Sequence, residues 1–399
     1  MKGLLLILLL VLPRPVTDAL GDLFVQYGGR VCPMSSVLYE QADETPTLEG
    51  LRIFPLERSD GSFSWYAAGE PLPPEVLEDM PFWEFAQEAP LQWEQAVKAR
   101  DWETASELIG RIREHQQKTL DGYLPPEGRM KAEKFWYRVA TPKVPFMLAL
   151  ALGMILFLLY CLKGDARSEP GITGAVWGLT LILWLYLTLV IGLRWYLAGY
   201  GPFAGSYNVM MLMAWLVCSA SLLTSKKYPI IQPVALLLAG FTLLLATRAG
   251  ARITPLHPGL QSPLLSVHVL LMMLSYTLLG LVAFNGILGL LIRGEERKRH
   301  LMEMGGRILL PGWTVLLAGT VIGSIWAQSA WGSWWSWDPK ETWALVTLIV
   351  YAVLIGCIKA GLLKKPVLFH ILSIVAFATV LFTYFGVNLL LGGLHSYGN

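Results

Sequence analysis

The stretch ILLPGWTVLLAGTVIGSIWAQSAWGSWWSWDPKETWALVTLIVYAVLIGCI, residues 308–358, decides the fold. It contains two apolar runs, near 308–327 and 342–358, each about as long as a helix must be to cross a hydrocarbon core. Between them and at the start of the second stand Trp331, Trp334, Trp335, Trp337 and Trp343, with Asp338, Lys340 and Glu341 interleaved. An indole offers a broad flat apolar face and a single N–H donor, which suits a planar ligand or a membrane interface. The same residues also start a helix: Asp338 at the N-cap, Pro339 at the first helical position and Glu341 at the third. An aromatic belt with a capped helix and a ligand platform therefore both stand as readings of this turn.

Outward from this pair, further apolar runs fall near 144–162, 172–193, 207–224, 230–247, 264–292 and 367–391. The chain is 54% hydrophobic and only 15% charged over 399 residues, too apolar for a soluble domain of that length. The expectation is mainly α: a polytopic membrane bundle of about eight transmembrane helices over 143–399. Charge alternates between connecting loops. Lys163, Arg167, Lys226, Lys227, the basic loop Arg293 to Arg307, Lys359, Lys364 and Lys365 fall on one side. The opposite loops carry only Arg248, Arg252 and Lys340, with Arg194 at a helix end. The positive-inside rule makes the first set cytoplasmic and the tryptophan turn external. The net charge of +2 gives no reason to expect a nucleic-acid partner.

Residues 1–20 hold one lysine and a short leucine-rich run, a signal peptide or N-terminal anchor. Residues 21–142 read as a small exported α+β domain. Within it, 23–34 predicts two strands about Gly28-Gly29, and 91–119 predicts two helices with Asp101 as a cap between them. His115 reads as a surface helix residue. The four cysteines are scattered, without a C-x-x-C or C-x-x-C-H, which argues against a dithiol centre or a covalently attached haem.

The remaining histidines sort by depth. His268, at the outer end of the fifth run, and His395, beyond the last, reach the face that carries the tryptophans; His257 lies in the same outer region. His300 belongs to the basic loop, and His370 lies near the cytoplasmic start of the last run. One interfacial histidine reads most simply as a hydrogen-bonded structural residue. Two bracketing an indole platform also suit the two axial positions of haem iron.

The sequence Trp-Gly-Ser-Trp-Trp-Ser-Trp-Asp-Pro-Lys-Glu-Thr-Trp-Ala-Leu (331–345) resembles the tryptophan-rich WWD signature of the CcsA/ResC family, the haem-handling membrane proteins of system II cytochrome c biogenesis. The likeness extends through Pro263 to His268, through 199–208 with Trp215, and from Gly386 to Tyr397. It implies a protein that binds haem b as cargo and presents it externally for covalent attachment to apocytochrome c, with haem transport as an additional role. In that case His268 and His395 are the axial iron ligands, and Trp331, Trp335, Trp337 and Asp338 form the presenting motif. The resemblance further implies one subunit of a holocytochrome c synthetase in a bacterial inner membrane, with a separate Ccs1/ResB-type membrane partner and thiol-reducing factors. One departure stands out: the family commonly has another histidine in the helix after the motif, where this chain has Gly356. His370, on the next helix, is the candidate substitute. The rival readings are a transporter or channel without haem chemistry, and a scaffold that recruits apocytochrome c.

Overall fold

The computed structural model describes residues 13–40, 48–163, 170–256 and 260–391. Contacts divide the chain into two compact units, Met1–Ala140 with Ala251–Pro255, and Thr141–Gly250 with Leu256–Asn399.

In the first unit, helix α1 (Arg14–Gly21) leads into strands β1 (Phe24–Tyr27) and β2 (Arg30–Pro33). They pair antiparallel, Val25 opposite Cys32 and Tyr27 opposite Arg30. Gly28 and Gly29 close this hairpin at φ 59° and 81°, left-handed values that glycine adopts without a Cβ penalty. Helix α2 (Met34–Glu40) follows, then a second antiparallel pair, β3 (Phe54–Glu57) and β4 (Phe63–Tyr66), which the sequence reading did not anticipate. Helices α3 (Met80–Ala99), α4 (Trp102–Thr119) and α5 (Glu127–Val139) complete the unit. Asp101 caps α4, its carboxylate accepting from the Thr104 amide at 3.1 Å. Trp83, Phe54, Ile109 and Ile112 are buried in one core.

Two polar devices hold this unit together. The buried side chain of Gln116 on α4 accepts from the Phe24 amide and donates to the carbonyls of Phe24 and Ile53, satisfying strand edges that the short sheets leave open. Arg30 pairs with Glu133 at 2.7 Å and donates to the Ile253 carbonyl at 3.0 Å, while Arg252 lies over the Tyr27 ring. The segment Ala251–Pro255 is thereby an integral part of this unit. His115 is not a surface residue. It is half-buried, stacked on Phe82 at 3.6 Å between centroids, with Nε2 donating to the Pro55 carbonyl.

Among the described residues, the second unit holds eight helices long and apolar enough to cross a membrane: α6 (Lys143–Lys163), α7 (Pro170–Ala198), α8 (Ser206–Thr224), α9 (Ile231–Ala249), α10 (Pro263–Leu291), α11 (Glu295–Trp331), α12 (Pro339–Lys359) and α13 (Pro366–Leu381), the last reaching span length with its continuation to Leu391. The chain after α13 continues as a π-helical stretch, Phe382–Leu391. Helix α11 begins far earlier than its apolar run. The basic segment expected as a loop is its first turns, built from strong helix formers such as Glu295, Arg297, Lys298 and Leu301. Glycines set the closest helix approaches, as is common where lipid supplies no hydrophobic drive between helices. A Cβ on Gly312 would stand 2.9 Å from Leu279, and one on Gly240 would stand 2.7 Å from Leu150.

Candidate functional site

The tryptophan turn is built by two helix ends. Helix α11 stops at Trp331 because Gly332 takes a left-handed φ of 74°, its amide bonding back to the Gln328 carbonyl. Helix α12 starts at Asp338, whose carboxylate accepts from the Lys340 amide at 3.1 Å. The Glu341 carboxylate reaches back to the amides of Asp338 and Ser336, closing a capping box. Trp337 is held at φ 57°, one of two non-glycine residues with positive φ among those described. Its indole is 68% exposed and that of Trp334 57%, whereas Trp335 is half-buried and packs edge-on to Trp337 at 6.0 Å. The turn thus presents two indoles outward from a hydrogen-bonded base. Asp338 itself is buried, and its carboxylate caps the helix start.

Trp331 packs against Trp326 one turn earlier on α11, at 4.8 Å and 72°. Trp343, in the second turn of α12, lies 4.1 Å from the Phe382 ring, and Thr347 meets Thr383 at 3.1 Å. These contacts tie the start of α12 to the π-helical end of the last span. A π-helical stretch frequently accompanies a functional site.

His268 lies on α10 with its ring against α11. Nδ1 donates to the Gly319 carbonyl at 2.7 Å, since a carbonyl can only accept. A Cβ on Gly323 would come within 2.6 Å of that same Nδ1; glycine there makes the room. Gly323 precedes Trp331 by eight residues, roughly 12 Å along the helix at 1.5 Å per residue. His268 thus meets α11 about two turns before the helix ends in the tryptophan turn. His257 and His395 lie outside the described residues, as do residues 392–399 as a whole.

His370 is fully buried at the start of α13 and donates from Nε2 to the Lys298 carbonyl on α11 at 3.1 Å. Its ring fills a notch on α10 where a Cβ on Gly289 would stand 2.4 Å away. Gly356 faces outward, with no described atom within 4 Å of where its Cβ would be. His300 is exposed on α11.

Sequence reasoning placed Arg194 at a helix end and gave it no role. It is 5% exposed near the end of α7, bonded from Nε to the Asn208 carboxamide and placed over the Tyr207 ring. The available signal was a charge at the very end of an apolar run, where an intramembrane ionisable residue calls for a functional explanation by default.

Eight helices of membrane-spanning length and apolarity define a polytopic membrane protein, and comparisons with known proteins narrow the class. The family described as cytochrome C assembly protein matches residues 203–395. The cytochrome c biogenesis protein CcsA of Guillardia theta is 31% identical over 258 residues, covering 56% of this chain and 85% of its own. CcsA of Chlamydomonas reinhardtii is 36% identical over 234 residues, 54% of this chain and 65% of that one. Protein NrfI of Wolinella succinogenes is 31% identical over 304 residues, 73% of this chain but only 34% of NrfI. A solved structure of the cytochrome c heme lyase CcmF aligns with 62% of this chain and 46% of its own, at TM-score 0.47 and 21% identity. The chain belongs to the CcsA family of cytochrome c biogenesis proteins.

Proposed function

We propose that this chain binds haem b as cargo and presents it on the external membrane face for thioether attachment to apocytochrome c. His268 and His395 serve as axial ligands, and Trp331, Trp335 and Trp337 flank the macrocycle on the turn that Asp338 caps. The observation that carries this reading is the bond from His268 Nδ1 to Gly319. It fixes the tautomer in which Nε2 has the lone pair, the arrangement by which metal-ligating histidines are usually oriented. Support for a shared side comes from Ala251–Pro255, which joins the fourth and fifth spans yet folds as part of the N-terminal unit. An exported N-terminal domain then keeps that loop on the same side.

Thioether formation adds a cysteine S–H across a vinyl group, sulfur to one carbon and hydrogen to its neighbour, with no net oxidation. The chain contributes orientation and protection. Reduced thiols are required, so thiol-reducing factors and a Ccs1/ResB-type partner complete the synthetase in this reading. His370 acts as a helix latch, because its Nε2 is committed to Lys298 and its ring fills the Gly289 notch. Absorption spectroscopy of the purified chain tests the proposal. A Soret band that weakens in His268→Ala and in His395→Ala, and partly returns with added imidazole, supports it. A haem-free protein that still moves solutes across vesicles would leave the transporter reading instead.

A further inference from the structure

Tyr228 stands in the turn between α8 and α9, with its backbone fixed on both sides. Its amide donates to the Thr224 carbonyl at 2.9 Å, and its carbonyl accepts from the Ile231 amide at 3.0 Å. The phenol oxygen accepts from Nη1 of Arg307 on α11 at 2.9 Å, a contact between residues 79 apart in sequence. The Lys227 ammonium lies 5.3 Å from the centre of the same ring. Lys227 and Arg307 are exposed, and Tyr228 is half-buried. Glu303, four residues earlier on α11, is the ordinary helical partner for Arg307. The guanidinium instead donates to a neutral phenol.

Two cations gathered at one neutral ring repel each other, and an anion bound there relieves the repulsion. Desolvation raises the pKa of the phenol, but the hydrogen bonds and charges of Arg307 and Lys227 outweigh it and hold the group below the usual tyrosine value. The turn therefore favours negative charge. A phenol that accepts from Arg307 still has its own O–H to donate. A guanidinium, an ammonium and a hydroxyl thus stand together at the surface, and an oxyanion is the ligand that suits all three. The surroundings say what the oxyanion is attached to. Arg307 immediately precedes the apolar run of α11, and from it Leu310, Thr314, Leu317 and Val321 continue one exposed face at threes and fours. Thr314 donates its hydroxyl to the Leu310 carbonyl, so that face offers little but hydrocarbon. We propose that Lys227, Tyr228 and Arg307 bind the phosphate of an anionic phospholipid, with an acyl chain along this face of α11. A soluble phosphate compound shares the headgroup chemistry but leaves the apolar face unused.

The test uses the full chain in phosphatidylcholine mixed micelles, where sidedness plays no part and the host lipid carries no net charge. Fluorescent phosphatidylglycerol is the titrated probe. Tyr228→Phe removes one hydroxyl and no charge, and should weaken binding about tenfold. Arg307→Gln should weaken it about fivefold. The comparison is Lys364→Gln/Lys365→Gln, which removes two exposed lysines from the α12–α13 loop and should cost less than Tyr228→Phe. Diffuse attraction to basic loops predicts the reverse order, a loss in the lysine pair and none in Tyr228→Phe, and that order overturns the proposal. The Arg307–Tyr228 bond also joins two parts of the bundle, so thermal unfolding is followed with and without phosphatidylglycerol. The bound lipid should raise the unfolding temperature of the parent, and Tyr228→Phe should lose that rise whatever its stability in phosphatidylcholine alone. An equal rise in the variant would reduce the bond to a helix latch and overturn the site. Excess inorganic phosphate separates the two sources: it should leave the lipid bound, and full displacement would assign a soluble phosphate ligand instead. None of these readouts involves haem, so the outcome is independent of the haem-presenting role.

Discussion

His268 on α10 and Gly319 on α11 are joined by a 2.7 Å hydrogen bond that runs from imidazole Nδ1 to the backbone carbonyl. Gly323, one turn further on, leaves the space in which the ring sits. The orientation of the proposed iron ligand therefore depends on a residue without a side chain. Gly323→Ala would place a methyl group 2.6 Å from Nδ1, and the ring must move. The expected result is haem loss comparable to that of His268→Ala. Exogenous imidazole should rescue His268→Ala better, because there the site is emptied, not obstructed. Soret absorbance per protein across the two variants is the measurement, and full loading of Gly323→Ala would show that the ring's placement does not matter.

Asp338 separates capping from charge. Asparagine caps a helix about as well as aspartate, whereas alanine costs about 1 kcal/mol. With Asp338 accepting from Lys340 and Glu341 completing the box, Asp338→Asn should keep the thermal stability of the parent and Asp338→Ala should lower it. Cytochrome c assembly is then read in the stable Asp338→Asn variant. Normal assembly assigns the residue to the cap alone, and loss at normal abundance assigns a function to the charge.

His370 and Gly289 meet as ring and notch. Gly289→Ala forces a contact of 2.4 Å, and overpacking of this kind costs about 1–3 kcal/mol. The latch reading predicts a lower unfolding temperature for Gly289→Ala with haem per protein unchanged. His370→Gln, which can still donate to the Lys298 carbonyl, should be tolerated. Haem loss in His370→Gln at normal stability would instead make this histidine the substitute for the ligand absent at Gly356.

His115 gives the N-terminal unit a pH dependence. Burial pushes its pKa below the usual histidine value, against the raising effects of the bond to Pro55 and of Asp79, and with a lowering effect from Lys118. The unfolded chain therefore binds a proton at a pH where the folded unit does not. The stabilisation is fully present above the ordinary histidine pKa and is lost as pH falls from there toward the depressed folded value. Thermal unfolding of the full chain, followed by a probe on this unit, should show a transition that drops on acidification. His115→Gln should flatten that drop, and an identical slope in the variant would assign it to other groups.

The spans were legible because length and apolarity alone specify a membrane helix, and the β1–β2 hairpin because Gly28-Gly29 dictates its turn. Asp101 and Asp338 announced their caps in the residues that follow them. Other features are long-range and leave little local trace. Gln116 completes strand edges 92 and 63 residues away. The partner of His268 is a backbone carbonyl on another helix. The early start of α11 was hidden because charged residues end the apolar pattern without ending the helix. The β3–β4 pair was obscured by its brevity and by Pro55, which cannot donate within a ladder. Arg194 was visible as a charge at the end of an apolar run, and only its burial marks it out.

Trp337 combines a left-handed backbone, φ 57°, with an indole 68% exposed. A non-glycine residue in that region costs roughly 1–2 kcal/mol, and an exposed indole gains little from burial to offset it. Such strain persists where the surrounding structure enforces it, and it concentrates at functional sites. Here the Ser336 and Thr342 bonds on either side, to Glu341 and to the Trp337 carbonyl, hold the turn. Trp337→Gly should relieve the backbone and leave stability equal to or above that of the parent, while haem retention and cytochrome c assembly fall. Trp337→Phe keeps the strain and most of the flat apolar face, so it should retain part of the activity. Calorimetric unfolding and haem per protein on both variants decide the matter. A destabilised Trp337→Gly would mean that packing of Trp337 on Trp335, not ligand display, is what keeps the indole there.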